Sequence, residues 1–95
     1  MKFNIVIHKD PESDYGVTVP DLPGCFSAGS SVEEALCMAK EAIELHLEGM
    51  IRDGEAMPSA ISVERHRCNP FYQDGMWAVV EVDDRKIQAR LRRLG

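Results

Sequence analysis

The chain lacks most of what would mark a membrane protein, a secreted scaffold or a nucleic-acid coat. No run approaches the roughly 20 apolar residues that a bilayer-spanning helix needs. The opening "MKFNIVIHKD" returns to charge after a short apolar run, so no signal peptide is expected either. Cysteine is scarce. Cys25, Cys37 and Cys68 are an odd number with no close pair, which argues against a disulfide framework and for a reduced, cytoplasmic protein. Positive charge is also short: 11 bases face 16 acids and the net charge is −5. That balance does not suit a protein that coats a duplex, whereas it suits solubility and a basic protein partner. A phosphate loop is missing. "GCFSAGSS" sets two glycines before a helix, but no Lys follows and the spacing fits neither a P-loop nor a dinucleotide fingerprint. There is no internal repeat and no low-complexity tract.

What remains is a single globular domain. Its 95 residues can bury one modest core, and 44% apolar with 28% charged residues is an ordinary globular mixture. "KFNIVIHK" places Phe3, Ile5 and Ile7 at every second position, the pattern of a strand with one buried side. "DPESDYG" is dense in turn formers and predicts a hairpin loop. "YGVTVP" alternates Tyr15, Val17 and Val19 with Gly16 and Thr18, and Pro20 should end that ladder because it has no N–H. "GCFSAG" can return as a third strand with Cys25 or Phe26 inward. The stretch between them, "PDLPGC", reads as a corner in which two prolines stop one strand and Gly24 permits a tight turn into the next.

A helix over 31–52 follows. Ser31 and Glu34 stand at capping-box spacing, and Val32, Leu36, Ala39, Ile43, Leu47 and Met50 form an apolar stripe at three- and four-residue steps. Glu33, Lys40, Glu41, Glu44, Glu48 and Arg52 fall mainly off that stripe, with Glu48 and Arg52 spaced to pair. Gly54 should stop the helix. Residues 55–75 give little: "SAISVERH" fits a short strand or a helical turn, and "RCNPFYQDG" fits a loop. "MWAVVEV" reads as a buried or half-buried strand. In "DDRKIQARLRRLG", Ile87, Leu91 and Leu94 have helical spacing. The expected architecture is α+β: a three-stranded antiparallel sheet plus a further strand, packed on one main helix in the order β-β-β-α-β, with a short C-terminal helix. The division is 1–84 for the domain and 85–95 for a basic tail or helix.

Candidate chemistry is thin. His66 and Cys68 are the one close pair of soft ligands, and a structural zinc site would show at least one Cys-x(2–4)-Cys pair, so no metal is expected. Cys25 follows Pro-Gly in a loop, but no catalytic-cysteine signature surrounds it. Asp10, Asp14 and Asp21 lie near strand ends and Glu33 and Glu34 at the helix start, where a divalent-metal nuclease would gather acids. Each also has a plain role, in turns or at the positive end of the helix dipole, and "FNIVI" in the first strand holds no acid. No catalytic residue and no cofactor is assigned.

From Tyr15 onward the chain resembles the HicB antitoxin family. The residues that carry the resemblance are "YGVTVPDLPGCFSAGSSVEEALCMAKEAIELHLEGM", then "MPSA", then "WAVVEVD", covering about 15–83. The resemblance implies a partial RNase H-like fold and a cytosolic prokaryotic antitoxin. Such proteins bind a small basic RNA-cleaving HicA-type toxin and cover its active-site histidine, without catalysis of their own. The toxin contacts expected on that basis are the corner residues Asp21, Leu22 and Phe26 and the helix acids Glu33, Glu41, Glu44 and Glu48. The pattern departs from the family at one point. Only 13 residues follow "WAVVEV", too few for the ribbon-helix-helix or helix-turn-helix that binds operator DNA, so operator binding does not follow. The chain is then a short member or part of a longer one.

Two other readings stand beside this one. An orphan HicB-like protein could act as a nucleic-acid-binding accessory through Arg85, Lys86, Arg90, Arg92 and Arg93. A degenerate metal-dependent nuclease would use Asp10 or Asp21. A homodimer or higher oligomer could form at a strand edge beside Pro20 or on the apolar face of the terminal helix.

Overall fold

The computed structural model describes residues 1–9, 11–56, 69–72 and 74–94. Asp10, the whole of "SAISVERH" with His66, and Cys68 lie outside the described residues. The elements are β1 (Lys2–Lys9), β2 (Tyr15–Thr18), β3 (Phe26–Gly29), α1 (Val32–Arg52), a 3-10 turn (Pro70–Tyr72), β4 (Met76–Glu81) and α2 (Asp84–Leu94). The four strands form one sheet in the order β3-β2-β1-β4, every neighbouring pair antiparallel. One main helix covers one face, as the pattern of elements predicts.

The alternation in β1 sets the two faces. Phe3, Ile5 and Ile7 point under α1 and are at most 3% exposed. Val17, Val19, Val80 and Val82 extend this layer, and α1 answers with Ala35, Ala39, Ile43 and Leu47, all at 0%. That row is shifted from the expected stripe, since Val32, Leu36 and Met50 are only partly buried. The reason is a close approach. A Cβ on Gly29 would sit 2.4 Å from the Ala35 backbone nitrogen, so β3 and the first turn of α1 touch backbone to backbone. Small residues at 29, 35 and 39 draw the helix down and rotate its alanine row to the centre.

Both ends of α1 are capped as the sequence indicates, with one difference. The Ser31 Oγ accepts from the Glu34 N–H at 3.1 Å, but Glu34 reaches back to Ser30, accepting from its N–H and its hydroxyl (3.3 and 2.9 Å). At the other end Gly54 takes φ +76°, the Gly54 N–H donates to Ile51 O and the Glu55 N–H to Met50 O. This pair of bonds is a Schellman motif, which satisfies the last carbonyls and stops the helix.

β4 is less buried than its apolar sequence suggests, because it lies at the edge of the sheet. Val80 is buried, whereas Met76 and Val79 are 48% and 58% exposed. The C-terminal segment is no loose tail. Asp83 accepts from the Arg85 N–H at 3.0 Å as the cap of α2, Ile87 enters the core at 2% exposure, and Leu91 packs against the core's edge.

Candidate interaction surfaces

The corner is two consecutive β-turns. The Leu22 N–H donates to Val19 O and the Cys25 N–H to Leu22 O, each at 3.0 Å, and the Val19 N–H closes the pair onto Cys25 O at 3.2 Å. Each turn has proline at its second position, where φ is already set near the required value. The first keeps Asp21 at negative φ, the type I pattern, and the second puts Gly24 at φ +85°, the type II pattern that favours glycine. The spacing of the two prolines therefore follows from turn geometry. Folding the chain twice drives the corner's side chains inward: Leu22 is 1% exposed, Cys25 4% and Asp21 9%.

This corrects part of the expected contact set. Leu22 belongs to the core and has no surface to offer a partner, and Asp21 has almost none. Phe26 is the exception, 67% exposed. Pairing of Thr18 with Phe26 and of Val6 with both Thr18 and Trp77 puts Phe26, Thr18, Val6 and Trp77 in one row on the face away from α1. The middle of that row is covered. Val6 is fully buried, a Cβ on Gly75 would collide with it, and Tyr72 meets Trp77 edge-on at 5.9 Å. A shallow hollow of about 210 Å³ remains between the corner and this cover, lined by Pro20, Pro23, Phe26 and Tyr72 among others. Burial also pushes the Cys25 thiol above its ordinary range, which favours its protonated form.

The helix acids divide as well. Glu33 and Glu41 are exposed and Glu44 is half-buried. Glu48, expected on the solvated side, is 7% exposed and accepts from Arg52 Nη2 at 3.1 Å. It is a carboxylate paired within the helix and has little surface to offer. On the same helix Met38 and Leu45 are 41% and 56% exposed. The apolar-stripe count passes over them because they lie outside the stripe. Their seven-residue spacing, with an acid between them, was the available signal.

Charge is segregated along the chain. Residues 1–84 hold all 16 acids and 6 bases, a net of −10, while 85–95 holds 5 bases and no acid. Arg85, Lys86, Arg92 and Arg93 are exposed on α2, and for Arg90 only the backbone is described. The Arg85 N–H bond to Asp83, followed by the nearby Arg85 charge and the Lys86 N–H, holds the Asp83 carboxyl below its usual range. A second hollow of about 460 Å³ lies where α1 faces β4 and α2, lined by Met1, Lys40, Glu81, Asp83 and Arg85. Among the described residues no three His, Cys, Asp or Glu gather as metal ligands would, and no described helix is long and apolar enough to cross a membrane.

A four-stranded antiparallel sheet under one capped helix defines a small α+β domain. Residues 3–95 match the family described as HicB-like antitoxin of bacterial toxin-antitoxin systems, and the chain belongs to that family. An uncharacterized 14.9 kDa protein from the rep-hol intergenic region of Haemophilus phage HP1 is 40% identical over 94 residues, which is 99% of this chain and 70% of that protein. The crystal structure of the Burkholderia pseudomallei antitoxin HicB superposes with a TM-score of 0.79 at 43% identity, covering 87% of this chain and 64% of that one. The HicA3 and HicB3 toxin-antitoxin complex contains a chain that superposes with a TM-score of 0.72 at 30% identity, covering 87% of this chain and 99% of that one. The chain thus spans somewhat under two thirds of the Burkholderia antitoxin's length.

Proposed function

We propose that this protein is a cytoplasmic antitoxin that binds a small basic HicA-type RNA-cleaving toxin and neutralises it by covering the toxin's active site, without chemistry of its own. Family membership and likeness to a chain in a HicA3–HicB3 complex support the reading. The observation that carries it is the net charge of −10 on residues 1–84, part of it on the solvent side of α1 at Glu33, Glu41 and Glu44. Such a surface speeds association with a basic protein and selects against acidic ones. In this reading exposed acids of α1 touch the toxin, while Leu22, Asp21 and Glu48 hold the shape that presents them.

Co-expression tests this directly. The chain should restore growth to cells expressing its cognate HicA-type toxin, co-purify with it, and stop RNA cleavage at equimolar ratio. Absence of a complex would contradict the proposal, as would Mg- or Mn-dependent RNA cleavage by the pure chain that is lost in Asp21→Asn.

The exposed cations of α2 favour a second reading, contact with a nucleic-acid backbone. It requires affinity that falls steeply with salt and on changing Arg85, Lys86, Arg92 and Arg93 to Gln. A flat salt response removes it.

A further inference from the structure

Apart from Met1, five large apolar side chains among the described residues are exposed: Phe26, Met38, Leu45, Met76 and Val79. Isolated exposed apolar residues are ordinary and need no explanation. Met38 and Leu45 differ in their surroundings. They stand two helical turns apart, about 10 Å at the α-helical rise. Glu41 lies between them, three residues from one and four from the other, and Glu34 stands one turn before Met38. At about 100° per residue these four share one flank of α1.

The position of that flank in the fold follows from Lys40, which points to the opposite side, into the hollow with Glu81, Asp83 and Arg85 against β4 and α2. Met38 and Leu45 therefore look away from α2 and, roughly 130° round the helix from the buried row Ala35, Ala39, Ile43 and Leu47, stand on its outer face, away from the sheet. Phe26, the exposed first residue of β3, lies on the sheet face away from α1, and Met76 and Val79 belong to β4, at the edge of the sheet.

We propose that this outer face of α1 is the docking face for the toxin, with Met38 and Leu45 as apolar anchors and Glu34 and Glu41 as an acidic rim. The inference rests on the antitoxin reading above and adds the face and the chemistry of its partner. The complementary surface is an apolar ridge or pocket bordered by Lys and Arg. Apolar anchors supply most of the affinity of such an interface, and rim charges set association rate and register. A second copy of this chain is the weaker occupant. Self-pairing would set the same acids against each other in a protein whose net charge is already −5.

The test measures binding of the full chain to its cognate HicA-type toxin, inactivated at the catalytic histidine, by titration calorimetry. The double variant Met38→Gln/Leu45→Gln keeps good helix formers at both exposed positions, so the fold is retained, which circular dichroism verifies. Its Kd should rise about tenfold or more. Glu41→Lys should slow association and flatten its salt dependence. The control Met76→Gln/Val79→Gln, on the edge strand β4, should bind within about twofold of wild type. If wild type binds and Met38→Gln/Leu45→Gln binds equally well, or the control loses affinity instead, this face is wrong and the antitoxin reading survives. If wild type does not bind the toxin at all, both fall.

Discussion

Leu22 in the corner is 1% exposed, and Leu45 on α1 is 56% exposed. Both residues sit beside acids in the sequence. The corner, read as a string, has the proline, glycine, Asp and Cys of a functional loop, and it is the segment by which the family resemblance is most easily seen. In the fold those residues are spent on turning: two β-turns need the two prolines and Gly24, and the turning buries Leu22 and Cys25. The α1 flank has no motif at all. Its two apolar residues are conspicuous only once the rest of the helix has been packed away. Local sequence distinctiveness thus tracks backbone demand here, while surface availability is set by what the helix leaves outside.

Stability separates the two regions most sharply. Leu22→Ala should cost roughly 2–5 kcal/mol in chemical denaturation, since it empties a fully buried site. The fraction that remains folded should still bind the toxin with unchanged affinity. A Leu22→Ala protein of normal stability but lost binding would overturn the structural role of the corner. Gly29→Ala should cost somewhat less, roughly 1–3 kcal/mol, because its Cβ meets backbone atoms of Glu34 and Ala35 that cannot swing aside. A thermal midpoint unchanged by this substitution would break the account of how β3 positions α1.

The two described cysteines report the same contrast more gently. Cys37, exposed beside Met38, should react with a thiol reagent in the native protein, while Cys25 should wait for unfolding. Peptide mapping of the labelled native protein checks this, and rapid labelling of Cys25 would contradict the buried corner.

The smallest effect belongs to α2. Asp83 has a lowered folded-state pKa, so its stabilising contribution is present above the ordinary Asp value of about 4 and is lost as pH falls through the folded value. Asp83→Asn should therefore be slightly less stable than wild type from pH 5 to 8, and the difference should close at lower pH. A gap that widened with acid would contradict the capping role. Toxin affinity of this variant should match wild type if the outer face of α1 is the docking face.

Much of the fold was legible in the sequence because it rests on periodic patterns. The alternation of Phe3, Ile5 and Ile7, the Ser31 cap and the Gly54 stop each have a local cause, and the structure contains all three. The docking chemistry was less legible. Glu48 looks like its neighbours Glu41 and Glu44 in sequence, and only packing shows that it is buried and paired with Arg52. Phe26 and Cys25 are adjacent residues with no sequence signal to say which turns inward; the strand begins at Phe26, and register with Thr18 sends it out. The exposure of β4 follows from its edge position, which a single strand's composition does not encode.

Met38, on the outer face of α1, and Met76, on the edge strand β4, are nearly matched probes, 41% and 48% exposed. Methionine oxidation footprinting of the free protein and of its toxin complex compares them in one experiment. The account predicts that both oxidise readily in the free protein and that toxin protects Met38 while Met76 is unchanged. Protection of Met76 with Met38 still open would contradict it.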